Sequence, residues 1–141
     1  AKEAVDNGMR NVAFLRSQIE LIDYYFAENE VDEIWITFPD PQIKYRRTKH
    51  RLTHPDFLER YKKFLKPGGI IHLKTDSEFL HGYTLGYLQG AGYEIISAHH
   101  DIYSALEYDP GTPHLRDIRT YYEELFSKKG KTITYIKFRI S

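Results

Sequence analysis

Residues 44–51 read K-Y-R-R-T-K-H-R, so five permanent cations, Lys44, Arg46, Arg47, Lys49 and Arg51, stand in eight positions with Tyr45 and His50 among them. Arginine forks and lysine point charges suit phosphate oxygens, while a tyrosine or guanidinium plane can stack on an unpaired base. A solvated surface loop carries the same charges, and what favours a binding role is adjacency. The run follows directly on Asp40, which is flanked by Pro39 and Pro41. Both rings restrict the backbone, so the carboxylate between them is held rigidly. An acceptor-only group fits the N1–H and exocyclic amino donors of guanine and rejects adenine, which has no N1–H. An ordinary turn aspartate is the other reading of Asp40.

Other chemistries lose their usual support. No cysteine occurs, which excludes disulfides, thiolate nucleophiles and thiolate metal sites and suits a reducing compartment, the cytoplasm by default. His99, His100 and Asp101 invite a metal, but neighbours on a strand point to opposite faces, so no metal is expected. No G-x-S-x-G or Walker sequence is present, and Gly90-Ala91-Gly92 lacks the third glycine of a dinucleotide loop.

These groups need elements to place them. Residues 11–16 read as a short buried strand, Ile19, Ile22, Tyr25 and Phe26 recur at helical spacing, and residues 31–38 form a β-branched and aromatic strand that delivers Asp40. Thr53 with Asp56 three residues later and Pro55 between them marks a helix start, and Phe57, Leu58, Tyr61, Phe64 and Leu65 make its buried stripe. Lys66-Pro67-Gly68-Gly69 ends that helix, and a strand over 70–75 then delivers Asp76. A helix over 78–89, a strand over 93–98, an irregular excursion over 99–118, a helix over 120–127 and a strand over 131–140 complete the chain. Alternation of this kind predicts an α/β three-layer sandwich with a mostly parallel sheet. Ligands of such sheets bind beyond the carboxyl ends of the strands, which puts Asp40 and Asp76 on one rim.

At 141 residues the chain has room for a single domain, 1–141, and 41% hydrophobic residues suffice for a core. Twenty Lys plus Arg cancel twenty Asp plus Glu, so a polyanion must be held by a local patch. Apolar stretches of five residues or fewer predict no membrane span, and the first 15 residues lack a signal-peptide core.

Phe38-Pro39-Asp40-Pro41, the spaced Lys44, Arg46, Lys49, Arg51 and Leu52, and Thr53-His54-Pro55 with Phe57-Leu58 together resemble the bacterial tRNA guanine-N7 methyltransferases. The likeness continues through Leu65 to Gly69, His72 to Asp76, and Thr120-Tyr121-Tyr122-Glu123 with Phe126. It implies a Rossmann-like class I methyltransferase fold and methyl transfer from S-adenosylmethionine to N7 of a variable-loop guanine in tRNA. By motif match it places Asp40 beside cofactor and base, Lys44 and Asp76 at the substrate, residues 46–51 (Arg46, Arg47, Lys49, Arg51) on RNA, and Thr120, Tyr121, Tyr122 and Glu123 in a late substrate segment. There are three departures from the family pattern. Gln42 stands where the family usually has Trp, and Ser17 or Gln18 stands where an aspartate faces the cofactor's adenine. The first strands, the glycine-rich cofactor loop and the ribose-holding acid have no counterpart in these residues. Two other classes stay open: a noncatalytic tRNA-binding module, and a methyltransferase for a small molecule or protein.

Overall fold

The computed structural model describes residues 5–103 and 130–141. Its centre is a four-stranded sheet of β1 (Val31–Thr37), β2 (Leu65–Thr75), β3 (Glu94–His99) and β4 (Thr134–Arg139) in the order β1-β2-β4-β3. β1 pairs parallel with β2, with Thr37 opposite Lys74. β4 lies antiparallel between β2 and β3. β1, β2 and β3 therefore share one direction, but the insertion of β4 leaves one parallel pairing, and the sheet is mixed where a mostly parallel one was expected. The helix expected over 120–127 lies outside the described residues, so the described layers are the sheet and the helices on one face of it.

That face is the core. Ile36, Ile71, Leu73, Ile136 and Phe138 point from alternate strand positions into one cluster with Phe57, Leu58 and Tyr61 of α1 (Pro55–Lys62) and Leu80 and Leu88 of α2 (Glu78–Ala91). α2 starts where the Ser77 hydroxyl accepts from Leu80 N–H and stops at Gly92, whose φ of 77° is the left-handed cap geometry. α1 starts one residue later than its Thr53 pattern suggests: the cap is His54, whose ring Nδ1 accepts from Asp56 N–H at 3.1 Å. Thr53 is diverted to a buried hydroxyl pair with Thr84 of α2, 2.7 Å apart. Thr84→Val should therefore cost about 1 to 3 kcal/mol, because it strands a buried hydroxyl, whereas the Thr53→Val, Thr84→Val pair should recover most of that loss. Urea denaturation of both variants measures the difference.

Two expected elements differ. Lys66-Pro67-Gly68-Gly69 does not end a helix, since α1 has already stopped at Lys62; it bulges out of β2, where the partner register jumps from Val31 opposite Leu65 to Glu33 opposite Ile70. Gly69 is needed there because a Cβ would come 2.6 Å from Leu65 Cγ. Residues 11–16 form no strand: they lie exposed and unpaired, because extended chain becomes a strand only with a ladder partner. The helical spacing of Ile19 to Phe26 yields a short 3-10 helix, Ile19–Tyr24.

On the opposite face four rings cross the sheet, Trp35 stacked on His72, then Tyr135 and His99. His72 Nδ1 meets the Tyr135 hydroxyl at 2.6 Å and its Nε2 meets the Glu33 carboxylate. His100 faces Glu78 instead, so the two adjacent histidines have different neighbours. Among the described residues no helix is long and apolar enough to cross a membrane.

Candidate active site and nucleic-acid interface

The last rung of β1 is Phe38 N–H donating to Lys74 O at 2.8 Å. There the backbone turns left-handed, with φ of 50° at Phe38 and again 49° at Gln42, two non-glycine residues bracketing Pro39-Asp40-Pro41. Each such conformation costs about 1 to 2 kcal/mol for an L-residue, and strain of this kind is kept where surrounding contacts impose it. The result is an exposed carboxylate in a fixed pose. Asp40 Oδ1 accepts the Gln42 N–H at 3.0 Å, and among the described residues no hydrogen bond engages the other oxygen.

Asp40 borders two clefts. One, of about 550 Å³, is also lined by Phe38, Ile43, Asp76, Ser77 and Lys131. It brings together the two carboxylates that the strand ends were expected to deliver, because the parallel register of β1 and β2 ends both strands on the same rim. The other, of about 530 Å³, is lined by Gln42, Lys44, Arg46 and Arg47. Arg46 and Arg47 ride on a 3-10 turn, Tyr45–His50, that begins directly after Lys44, and all three are exposed. Arg47 Nε donates to Gln42 Oε1 at 3.2 Å, so Gln42 is a polar tether for the basic turn. The Tyr45 ring is 92% exposed among these charges, a placement that suits stacking on a base.

The remaining expected residues divide. Lys49 is exposed but lines neither cleft, and neither do Ser17 and Gln18, the Ser17 hydroxyl being bonded to Tyr25 Oη at 3.0 Å. Thr120, Tyr121, Tyr122 and Glu123 lie outside the described residues. Arg51, expected on RNA, is 5% exposed, with its guanidinium on the carbonyls of Gln42 and Ile43 and close to the rings of Phe79 and Tyr83. Burial pushes the Tyr83 phenol above its ordinary value, and the Arg51 charge beside it works in the opposite direction.

Lys131 was not anticipated. Its Nζ lies 3.4 Å from Asp76 Oδ2, on the wall of the shared cleft. The antiparallel pairing that sets Thr134 opposite Thr75 carries the chain before β4 past the end of β2, and only that register reveals the proximity. Among the described residues no group of three or more His, Asp or Glu could hold a metal ion.

The mixed α/β sheet thus carries an exposed acid and a basic turn on its carboxyl rim, and the family described as "Putative methyltransferase" matches residues 1–136. The chain belongs to that family. It is 64% identical over 140 residues to a tRNA (guanine-N(7)-)-methyltransferase of Christiangramia forsetii, covering 99% of this chain and 61% of that protein. Its identity to the proteins of the same name from Bacteroides thetaiotaomicron and Clostridium novyi is 48% and 38%, over 99% and 92% of this chain and 53% and 58% of theirs. The chain thus spans between about half and three-fifths of the length of these relatives.

Family membership implies S-adenosylmethionine as methyl donor, and the described residues fit one side of it. The Asp40 carboxylate, bonded among the described residues only to the Gln42 N–H, has the charge to suit a cationic centre. No described residue bordering either cleft supplies a glycine-rich turn, and Asp40 and Asp76 are the only described carboxylates there.

Proposed function

We propose that the full-length protein methylates N7 of a guanine in the variable loop of tRNA, that these 141 residues are the C-terminal portion of its single methyltransferase domain, and that it works in the cytoplasm. The observation that carries this reading is the shared rim: a pre-set acceptor, Asp40, between a cleft lined by Asp76 and a cleft lined by Lys44, Arg46 and Arg47. Asp40 accepts from the N1–H and amino group of the guanine, and Asp76 lies across the cleft from it. Lys44, Arg46, Arg47 and Lys49 hold phosphates on either side, and the residues 120–123 add a further contact to the substrate. S-adenosylmethionine, when bound, supplies a methyl group activated by its sulfonium charge.

Guanine N7 keeps its lone pair outside base pairing and is unprotonated near neutral pH, so no residue has to remove a proton first. Alignment is then the main task, an effect worth up to about 7 to 11 kcal/mol when nucleophile and electrophile are held in line. Positive charge passes to the purine as the methyl moves, and the Asp40 carboxylate beside it favours that charged form.

Four exposed cations in contact with phosphates set the salt dependence. At roughly 0.7 to 0.9 per contact, log affinity for tRNA should fall against log salt with a slope of about 2.8 to 3.6 in magnitude. Replacing Arg46 and Arg47 together should flatten it by about 1.4 to 1.8. Filter binding at several salt concentrations tests the reading, and a slope unmoved by the double substitution would show these side chains to be merely solvated. A noncatalytic binding module predicts the same slopes, and incorporation of labelled methyl into tRNA by the full-length protein separates the two.

A further inference from the structure

The five-cation run looks uniform in sequence, yet one of its members faces the opposite way. Lys44, Arg46, Arg47 and Lys49 are exposed, whereas Arg51 is 5% exposed. A buried guanidinium is costly unless its charge and its donors are matched. Here the matching groups are two carbonyls and two ring faces: Nε donates to Gln42 O at 3.0 Å, a terminal nitrogen donates to Ile43 O at 3.3 Å, and the central carbon sits 4.7 Å and 4.6 Å from the Phe79 and Tyr83 ring centres. Both rings belong to α2, which packs into the core through Leu80 and Leu88. The guanidinium is therefore fastened to a rigid element on one side and grips the backbone after Asp40 on the other.

The residue it grips is Gln42, whose left-handed φ of 49° a glutamine adopts only under constraint. Gln42 is held at both ends: its carbonyl by Arg51, and its N–H by Asp40 Oδ1 at 3.0 Å. The path from the α2 rings to the Asp40 carboxylate has three links, each a contact of ordinary length. A planar fork with two donors suits this task, and a lysine ammonium could satisfy the two carbonyls only with poorer geometry.

We propose that Arg51 is a positioning residue that locks the Gln42 backbone and thereby aims Asp40, and that it makes no contact with RNA. The role rests on the reading of Asp40 as the guanine acceptor. It divides the basic run by function: four cations draw in the polyanion, and the fifth shapes the pocket beside them.

The test uses the full-length protein with tRNA and S-adenosylmethionine and reads three quantities: kcat, the salt slope of tRNA binding, and hydrogen exchange at the Gln42 amide. Arg51→Met should lower kcat about 10- to 100-fold, as misplacement of a reacting group does, with the salt slope unchanged and Gln42 exchange accelerated several-fold. Arg51→Lys should restore part of kcat. A slope reduced by about 0.7 to 0.9 in Arg51→Met would make Arg51 a phosphate contact and overturn the proposal. So would a fall in kcat with Gln42 exchange unchanged. Faster exchange with undiminished kcat would leave the clamp in place, remove Asp40 from the reaction and overturn the positioning role with it. Should Arg51→Met not fold, Phe79→Leu takes its place, since that ring is 43% exposed; it should lower kcat several-fold and speed Gln42 exchange, and wild-type values of both would overturn the proposal.

Discussion

Asp40→Ala is expected to lower kcat/KM for tRNA methylation by two to three orders of magnitude, about what loss of one pre-organised polar partner costs at other active sites. Stability should fall by about 1 kcal/mol or less, because the carboxylate is exposed and its single bond within the described residues is to the Gln42 N–H. Asp40→Asn is the sharper variant. Its amide oxygen can still accept from Gln42 N–H and keep the turn, but the group left facing the cleft is then an NH2. A donor would meet the donors of the guanine edge, so Asn should fail nearly as badly as Ala while folding as well as the parent. Methylation by Asp40→Asn at near the parent rate, with melting temperature unchanged, would remove Asp40 from the reaction.

What made Asp40 legible is that its geometry is local. Two prolines and an adjacent cation run need no tertiary information to be noticed, and the ends of α2 are equally local, one hydroxyl cap and one glycine. The features that escaped notice depend on contacts distant in sequence. Alternating strands and helices suggest parallel pairing, but nothing in residues 131–140 says that they enter between β2 and β3 in the opposite direction. Lys131 reaches Asp76 only because of that insertion. Arg51 shows the limit of charge patterning: its spacing from Lys49 and Arg47 is that of a surface run, and what buries it is the pair of rings on α2, roughly 30 residues further on. Thr53 illustrates the same competition at a helix start, where a hydroxyl that could cap α1 is taken by Thr84 and a histidine caps instead.

A polypeptide made of these 141 residues alone is expected to bind S-adenosylmethionine no tighter than about millimolar and to give no measurable tRNA methylation. A millimolar constant corresponds to about 4 kcal/mol, which one wall of a site can supply. Tighter binding in folds of this kind draws on a glycine-rich turn that lets the backbone approach the ligand and on an acid that holds the ribose hydroxyls, and neither pattern occurs in the sequence. Ser17 and Gln18 are exposed and line neither cleft at Asp40, so they offer no substitute. Among the described residues β1 is an edge strand beside an apolar cleft of about 500 Å³ lined by Ile19, Ile22, Phe26, Ile34 and Trp35, and an open edge with apolar surface also favours association between chains. Calorimetric titration with S-adenosylmethionine, run beside the full-length protein, decides the matter. Micromolar binding by the 141-residue polypeptide would mean that the rim around Asp40 holds the cofactor unaided, and the division of labour proposed for Asp40 between cofactor and guanine would have to be redrawn.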